Sequence, residues 1–261
     1  MPLLLDLDPV YRARLRAAFA ARPPAPAPVL AEVDLAGLPA PVRRFVARAG
    51  ALGRPRPHSV RITFRAEMFR RPGGAAMPSR AEQVNFLPDP ARLFLMTSRM
   101  MGLPVKVLHA YEAEAATMRV RVASLLDVVR LEGEALSRGE TVTVLNDLCL
   151  FAPGGLVDPR LAWAPLDDRR AGVTFVNGRH RVAATLHFDA AGDLCDFTSD
   201  DRPALVEGRL LPYRWSTPIE GWREIEGRRV PVRGRAVYRY PQGDFTYGVF
   251  TTDEVAWDVA G

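Results

Sequence analysis

The sequence predicts an α+β fold, mostly β, in which a large curved antiparallel sheet carries a mid-chain helix in or across its concave face, with further helices at the N-terminus. Three observations lead to this prediction. After Pro57, apolar and polar residues alternate with a period of two through roughly a dozen short segments, as in strands with one buried face. Turn signals separate these segments. One stretch in the middle of the chain changes to helical spacing.

The N-terminal segment, residues 1–34, predicts a helix followed by an extended strap. After Asp8-Pro9, the sequence VYRARLRAAFAA can place an apolar stripe on one helix face, formed by Val10, Leu15, Ala18 and Phe19. The prolines of RPPAPAPVL then exclude helix for themselves and their neighbours. We expect residues 35–261 to form a single β-rich domain, which opens with a second helix in GLPAPVRRFVARAG.

Strand alternation is clearest in HSVRITFRAEMF, where Val60, Ile62 and Phe64 alternate with polar or charged residues. The same pattern recurs in ARLFLMTSR, PVKVLHAYE, ATMRVRVA and AGVTFVNGRHRVAATLHFD, and the last third of the chain adds further strands up to Trp257. Asn177-Gly178 is a strong hairpin signal. This many short strands with tight turns indicates an antiparallel body.

The stretch SRGETVTVLNDLCLFAPGG interrupts the strands. Ser137 and Glu140 match a capping box, and apolar residues follow at helical spacing until Pro153-Gly154. The sequence therefore predicts a helix from about Thr141 to Phe151, placed where it covers the concave face of the sheet.

The segment YRYPQGDFTYGV is rich in aromatic residues. If Gln242-Gly243 is a two-residue turn, Tyr238 pairs with Tyr247 and Tyr240 with Phe245, and four rings share one face. Buried tyrosine hydroxyls need hydrogen-bond partners, which a ligand or water supplies at a pocket wall. Cross-strand aromatic pairs also stabilise ordinary sheets, so this face is either packed core or pocket wall.

Composition excludes several classes of protein. The cations behind the net charge of +5 are almost all arginines, with Lys106 the only lysine. The arginines are scattered between acidic residues, whereas the cations of a phosphate-binding patch are clustered. We therefore predict no nucleic-acid partner.

The two cysteines have no C-x-x-C spacing and no histidine at metal-ligand distance, so we predict neither a metal nor any other cofactor. The N-terminus resembles neither a signal peptide nor a membrane span, and we expect a cytoplasmic protein with no membrane span.

Catalytic motifs are missing as well. There is no G-x-S-x-G elbow, and neither Gly73-Gly74 nor Gly154-Gly155 is followed by Lys-Ser/Thr. We therefore assign no catalytic residue. An alternative hypothesis is a small-molecule enzyme in which His109 and Tyr111, on one strand face, act with an acidic partner such as Asp200. It requires the three side chains to converge.

The leading hypothesis is that a hydrophobic or amphipathic small molecule binds in the hollow of the sheet. The aromatic face would form its wall, and Arg99, His109 or Arg202 would meet a polar head. The candidate ligand-binding residues are Arg99, His109, Tyr111, Arg202, Trp215, Tyr238, Tyr240, Phe245 and Tyr247. Two alternatives remain open: Trp215 and Trp222 can plug an open barrel end, and the whole chain can be a structural or partner-binding module with a filled core.

Several segments in order resemble a bacterial family catalogued as a domain of unknown function: LAGLPAPVRRF, SVRITFRAEMF, APGGLVDPRLAWAPLDD, LHFDAAGDLCDFTSDDR and GRRVPVRGRAVYRYPQGDFTYGVF. The likeness runs from about Leu35 to Trp257. In outline the family is similar to the LolA and LolB lipoprotein carriers, whose incomplete barrels hold acyl chains. The resemblance implies an incomplete barrel with a helix in the concavity. It implies no known activity, and the chain departs from the carriers in showing no export signal.

Overall fold

A computed structural model describes residues 6–100, 102–123 and 126–260. Within these ranges the chain forms three α-helices: α1 (Leu7–Ala21), α2 (Ala40–Arg48) and α3 (Glu134–Phe151). The same ranges contain sixteen strands: β1 Ser59–Met68, β2 Met77–Phe86, β3 Ala91–Met100, β4 Leu103–Glu112, β5 Ala115–Val122, β6 Leu126–Glu132, β7 Leu161–Asp167, β8 Arg170–Asn177, β9 His180–Phe188, β10 Leu194–Ser199, β11 Ala204–Val206, β12 Arg209–Leu211, β13 Arg214–Ser216, β14 Ile219–Ile225, β15 Arg228–Tyr240 and β16 Gly243–Trp257.

Fourteen of these strands form one antiparallel sheet, in which β1 pairs with β16 and so joins the first run of hairpins to the last. The order is β6-β5-β4-β3-β2-β1-β16-β15-β13-β10-β9-β8-β7, with β14 attached to β15. Strands β11 and β12 form a separate pair. The sheet is not closed into a barrel, and strand makes up 52% of the chain. The predicted fold class is therefore confirmed.

Helix α1 packs on the convex face of the sheet. Its side chains Leu7, Tyr11 and Ala18 are buried in one cluster with apolar residues of β2, β3 and β4, including Phe86 and Leu93. The prediction for its start was slightly wrong, because Asp6 caps the helix by accepting a bond from the Asp8 backbone NH. None of the helices in the described ranges is long and apolar enough to cross a membrane.

Helix α2 lies against the β9 and β14 part of the sheet. Phe45 is packed between Phe188 and Trp222, with ring centroids 5.6 Å from each. Gly50 follows the end of the helix and has a φ of +73°, which favours glycine. A β-carbon added at Gly50 would lie 2.0 Å from the carbonyl oxygen of Gly227. This close approach ties α2 to the β14–β15 turn.

Helix α3 lies inside the hollow and is buried on all sides from residue 139 to residue 151. It begins earlier than the sequence predicted, at Glu134, with Gly133 as the N-cap. The capping-box prediction was wrong because Ser137 lies one turn inside the helix. There its hydroxyl donates to the Gly133 carbonyl and accepts from the Ala116 backbone NH of β5.

The aromatic hairpin exists, but its predicted register was wrong. Tyr240 pairs with Gly243 and Tyr238 with Phe245, so the two-residue turn is Pro241-Gln242. Proline is pre-set for the first central position of a turn, and Gly243 then adopts a φ of +128°. The pairing shifts between Ala236 and Val237, so Tyr247 of β16 has no residue directly opposite it on β15. Its ring still stacks on Tyr238, with ring centroids 5.2 Å apart.

Candidate functional site

A cavity of about 480 Å³ lies between α3 and the concave face of the sheet. Much of its wall is apolar, formed by residues such as Phe64, Met68, Phe94, Met96, Leu150 and Phe250. Charged and amide side chains from α3 and β3 form one part of the wall. The cavity therefore offers an apolar volume with a polar region, which is the arrangement typical of small-molecule sites.

Strand alternation points these side chains inward. On β3, Arg92, Phe94 and Met96 line the cavity, while Leu93 between them lies under α1 on the other face. His109 of β4 lies directly opposite Phe94 in the pairing and shares its face. The period of two that identified the strands therefore also decides which residues reach the cavity.

Helix α3 presents one polar stripe to the cavity. Glu140, Thr143, Asn146, Asp147 and Leu150 all line it, at the spacings of three and four residues that share a helix face. All five are buried in the protein. The helix thus carries two carboxylates into the interior, where each needs a charged partner.

Arg92 is the partner that these two carboxylates share. Its Nη1 lies 3.2 Å from Glu140 Oε2, and its Nε donates to Asp147 Oδ2 at 2.8 Å. Its Nη2 donates to Gln83 Oε1 at 2.7 Å, and Gln83 in turn donates to Asp147 at 2.8 Å. Arg92, Glu140 and Asp147 are each more than nine-tenths buried, so this is a fully connected interior network and not a surface ion pair.

The two carboxylates have opposite pKa shifts. Burial alone would raise the pKa of Glu140, but His109, Arg92 and Arg202 surround it and hold its pKa well below the ordinary 4.5. Burial raises the pKa of Asp147 above 3.8, because its single cation is shared with Glu140 and Glu140 also repels it. Glu140 is therefore the firmly ionised member of the pair.

Arg202 reaches the same carboxylate from the other side of the cavity. Its guanidinium stacks on Trp215, with the central carbon 4.5 Å from the ring centroid. Its Nε donates to Thr143 at 2.9 Å, Nη1 donates to the Tyr238 hydroxyl, and Nη2 lies 3.5 Å from Glu140. Burial opposes its charge, yet Tyr238, Tyr247 and Glu140 raise the pKa of Arg202 above its ordinary value.

A glycine allows this placement of Arg202. A β-carbon added at Gly139 of α3 would lie 3.1 Å from Pro203 Cδ and 3.6 Å from Arg202 Cγ. The loop between β10 and β11 can therefore pass directly over the helix and direct Arg202 inward. The fit is tight enough that even alanine would force a local shift.

The aromatic face is both packed and exposed to the cavity. Tyr238 stacks on Tyr247 with centroids 5.2 Å apart, and Tyr240 stacks on Phe245 at 6.3 Å. All four rings line the cavity. The Tyr238 hydroxyl donates to the Pro203 carbonyl at 2.9 Å, and burial raises the pKa of this phenol although Arg202 opposes the shift. Trp215 donates to the Tyr247 hydroxyl at 3.0 Å.

His109 lies in the polar part of the wall. Its Nδ1 is 3.4 Å from Glu140 Oε1, and its ring contacts Phe94 edge to face at 6.4 Å. Among the described residues, none forms a hydrogen bond with its Nε2. The imidazole is thus oriented by a carboxylate and presents its second nitrogen to the cavity.

Two predicted ligand-binding residues lie elsewhere. Arg99 is exposed on the opposite face of β3, because it lies an odd number of positions along the strand from Phe94 and from Met96. Tyr111 is fully buried and bonds to Thr141 at 2.9 Å and to Asn177 at 2.8 Å, and burial raises its pKa. The other seven predicted residues line the cavity.

The residues of the enzyme hypothesis are not brought together. Asp200 forms an exposed ion pair with Arg214, at 2.7 Å, and does not line the cavity. His109 meets Glu140 in its place, and Tyr111 stays in the core. In the part of the chain that the structure describes, no cluster of His, Cys, Asp or Glu could hold a metal ion. The tryptophan plug also fails for Trp222, which packs on α2 and donates to the Leu194 carbonyl.

Sequence reasoning missed Arg92, Glu140 and Asp147 as site residues. The sequence predicts Glu140 at the start of a helix and Arg92 within a strand. A usable signal was present: Glu140 and Asp147 are seven residues apart, so they share one helix face, and no charged residue lies between them. Two carboxylates on one face of a helical stretch that has no cation of its own predict a buried cation opposite them.

Solved structures similar to this chain share its outline at low identity. A domain from Vibrio parahaemolyticus, provisionally described as an outer membrane lipoprotein-sorting protein, has 9% identity and a TM-score of 0.43, over 76% of this chain and 85% of that chain. A DUF1329 family protein from Desulfovibrio piger has 13% identity and a TM-score of 0.45, over 78% and 87%. A LolA superfamily protein from Nitrosomonas europaea has 13% identity and a TM-score of 0.44, over 80% and 90%. These likenesses say nothing about a ligand of this chain.

Comparison with curated proteins finds no match. A family model does match, over residues 28–250, and these residues include both buried carboxylates of α3, the cavity arginines and the aromatic hairpin. The family resemblance noted in the sequence is thereby confirmed, and the chain belongs to the family of unknown function DUF6544.

Proposed function

We propose that the protein binds a hydrophobic or amphipathic small molecule in the cavity between α3 and the concave face of the sheet. The observation that carries this proposal is the cavity itself, about 480 Å³ in volume, with apolar side chains over much of its wall and a buried charged network in one part. Volumes of this size fall within the range of small-molecule sites.

The energetics favour an apolar occupant. Side chains around a void lose dispersion contacts, and burial of an alkyl or ring surface stabilises by about 25 cal/mol per Å². Phe94, Met96 and Leu150 supply such a surface on both the sheet side and the helix side. A ligand that fills this space would restore the contacts that close packing gives elsewhere in the protein.

The structural-module alternative requires a filled core, and a cavity of this size is at odds with it. The enzyme alternative loses its proposed triad, since Asp200 is bound to Arg214 at the surface. Binding without chemistry is therefore the function that the geometry supports best.

Native mass spectrometry of the freshly purified protein, compared with its denatured mass, tests the proposal. We expect a discrete excess mass, or its appearance after incubation with Nile red. A Val107→Trp variant fills the cavity from β4 and should lose the adduct. The matched control is Val33→Trp, at a side chain 77% exposed, which should keep it.

A wild-type protein that carries no adduct and takes up no probe would overturn the proposal. Equal adducts on the Val107→Trp and Val33→Trp variants would also contradict it, since binding would then occur outside the cavity.

A further inference from the structure

Around α3 the cavity wall holds two guanidiniums, Arg92 and Arg202, and two carboxylates, Glu140 and Asp147. Two further arginines line the cavity away from these carboxylates: Arg70 is exposed, and Arg235 is exposed and ion-paired with Glu220 at 3.1 Å. In addition, each nitrogen of Arg92 already has a protein acceptor: Nε has Asp147, Nη1 has Glu140 and Nη2 has Gln83. A guanidinium that recognises an anion would instead present a free pair of nitrogens to it.

Arg202 is occupied in the same way. Its Nε donates to Thr143, its Nη1 to the Tyr238 hydroxyl, and its Nη2 faces Glu140. An anionic head would have to break one of these contacts in a buried setting, and it would also lie beside two carboxylates. A cationic head meets the converse difficulty, because each carboxylate is already paired with Arg92.

Three residues that line the cavity carry a hydrogen-bonding group without a protein partner among the described residues. The amide nitrogen of Asn146, a residue only 4% exposed, has no protein acceptor among the described residues, while its oxygen accepts from Thr217 at 2.8 Å. The Tyr247 hydroxyl accepts from Trp215, and its own hydrogen has no acceptor in the same part of the chain. His109 presents Nε2. Polar groups that line a cavity without a protein partner are available to a ligand.

We infer that the ligand carries an uncharged hydroxyl headgroup, so that its class is a neutral amphiphile such as a long-chain alcohol or a monoacylglycerol; this inference rests on the proposed function. A hydroxyl oxygen can accept a hydrogen bond from the Tyr247 hydroxyl, from the Asn146 amide or from the Nε2–H of His109. Such a head leaves the existing contacts of Arg92 and Arg202 intact.

Calorimetric titration with decanol, decanoate and decylamine at neutral pH tests the inference, because these probes share one tail and differ in the charge of the head. We expect decanol to bind at least about tenfold more tightly than either charged probe. Tightest binding by decanoate or decylamine would overturn the headgroup assignment. Equal binding by all three would do so too, while the proposed function would stand. Failure of all three would remove the proposed function itself.

Two variants test whether His109 and Tyr247 bind the hydroxyl headgroup. His109→Asn keeps a donor toward Glu140 but lacks Nε2, so we expect decanol affinity to fall roughly three- to tenfold with decanoate affinity unchanged. Tyr247→Phe gives a second, independent test of the same loss. The matched control is Met118→Leu, at the residue that pairs with His109 on β5 and also lines the cavity, and it should leave the preference intact. Unchanged decanol affinity in both His109→Asn and Tyr247→Phe would contradict the assignment.

Discussion

The two faces of the sheet are each covered by a helix, but the two contacts have opposite character. Under α1 on the convex face, Val84, Phe86, Leu93 and Leu108 form a filled apolar layer with α1 side chains, and Phe19 packs on Phe86 at 4.9 Å. Charged contacts of α1, such as Arg14 with Glu112 at 3.5 Å, stay at its partly exposed edge. Under α3 on the concave face, the charges lie in the interior beside an open volume.

The difference follows from what surrounds each helix. Helix α1 has a solvent side, so its polar residues can stay in water while its apolar stripe meets the sheet. Helix α3 is enclosed, and its polar stripe can only face the interior. Two carboxylates on an enclosed part of a helix require a cation in the interior. The polar wall that results has no counterpart in a purely apolar core. The concave face therefore combines buried charge with an open volume, whereas the convex face is a close-packed apolar contact.

The largest effect should come from breaking the charge network of the concave face. Arg92→Met leaves Glu140 without its nearest cation and Asp147 without the one cation that pairs with it in the described ranges, so we expect a loss of about 3–5 kcal/mol in the free energy of unfolding. Urea denaturation followed by circular dichroism measures it. The convex-face control, Arg14→Met, removes a partly exposed ion pair and should cost at most about 1 kcal/mol. Similar costs for the two variants would refute the contrast.

A matched leucine pair should show a smaller difference. Leu93→Ala, fully buried under α1, should cost about 2–5 kcal/mol, because it opens a void in a close-packed layer. Leu150→Ala enlarges a cavity that already exists, and some of the removed atoms have no packing partner, so we expect roughly half that cost. Urea denaturation of both variants makes the comparison. An equal or larger cost at Leu150 would mean that α3 is packed as densely as α1.

The contrast between the faces also marks how far the sequence could predict the molecule. Period-two alternation and helical spacing are local properties of the chain, and they predicted most of the strands, the three helices and the large antiparallel sheet, although α1 and α3 begin earlier than expected. The pairing register depends on which two residues form the turn. In YPQG the turn is Pro241-Gln242 and not the predicted Gln242-Gly243. Arg202, Trp215 and the four aromatic residues of the hairpin were predicted as candidate ligand-binding residues from their residue type alone.

The polar network could not be predicted in the same way, because it depends on contacts between distant segments. Arg92 and Asp147 are 55 residues apart, and only the folded hairpins bring them within 2.8 Å. Arg99 shows the converse: it is the right type of residue, but one step of strand parity places it on the outer face. Residue type alone therefore identifies candidates for a site, and strand parity together with the helix face decides which of them reach it.

The smallest effects should come from the two carboxylates separately, and their pH dependence should have opposite signs. The pKa of Glu140 is lowered in the folded protein, so its contribution to stability is fully present above 4.5 and is lost as pH falls through the folded pKa. The pKa of Asp147 is raised, so its contribution is fully present below 3.8 and is lost as pH rises through the folded pKa.

Urea denaturation of Glu140→Gln and Asp147→Asn across acidic and neutral pH measures both terms. The deficit of Glu140→Gln relative to wild type should shrink as pH falls below 4.5, whereas Asp147→Asn should gain on wild type as pH rises above 3.8, each by on the order of 1 kcal/mol. Parallel changes in the two variants would mean that Arg92 serves both carboxylates equally. Opposite changes would identify Glu140 as the ionised anchor that holds Arg92, Arg202 and His109 in place, and Asp147 as the member whose charge the cavity tolerates least.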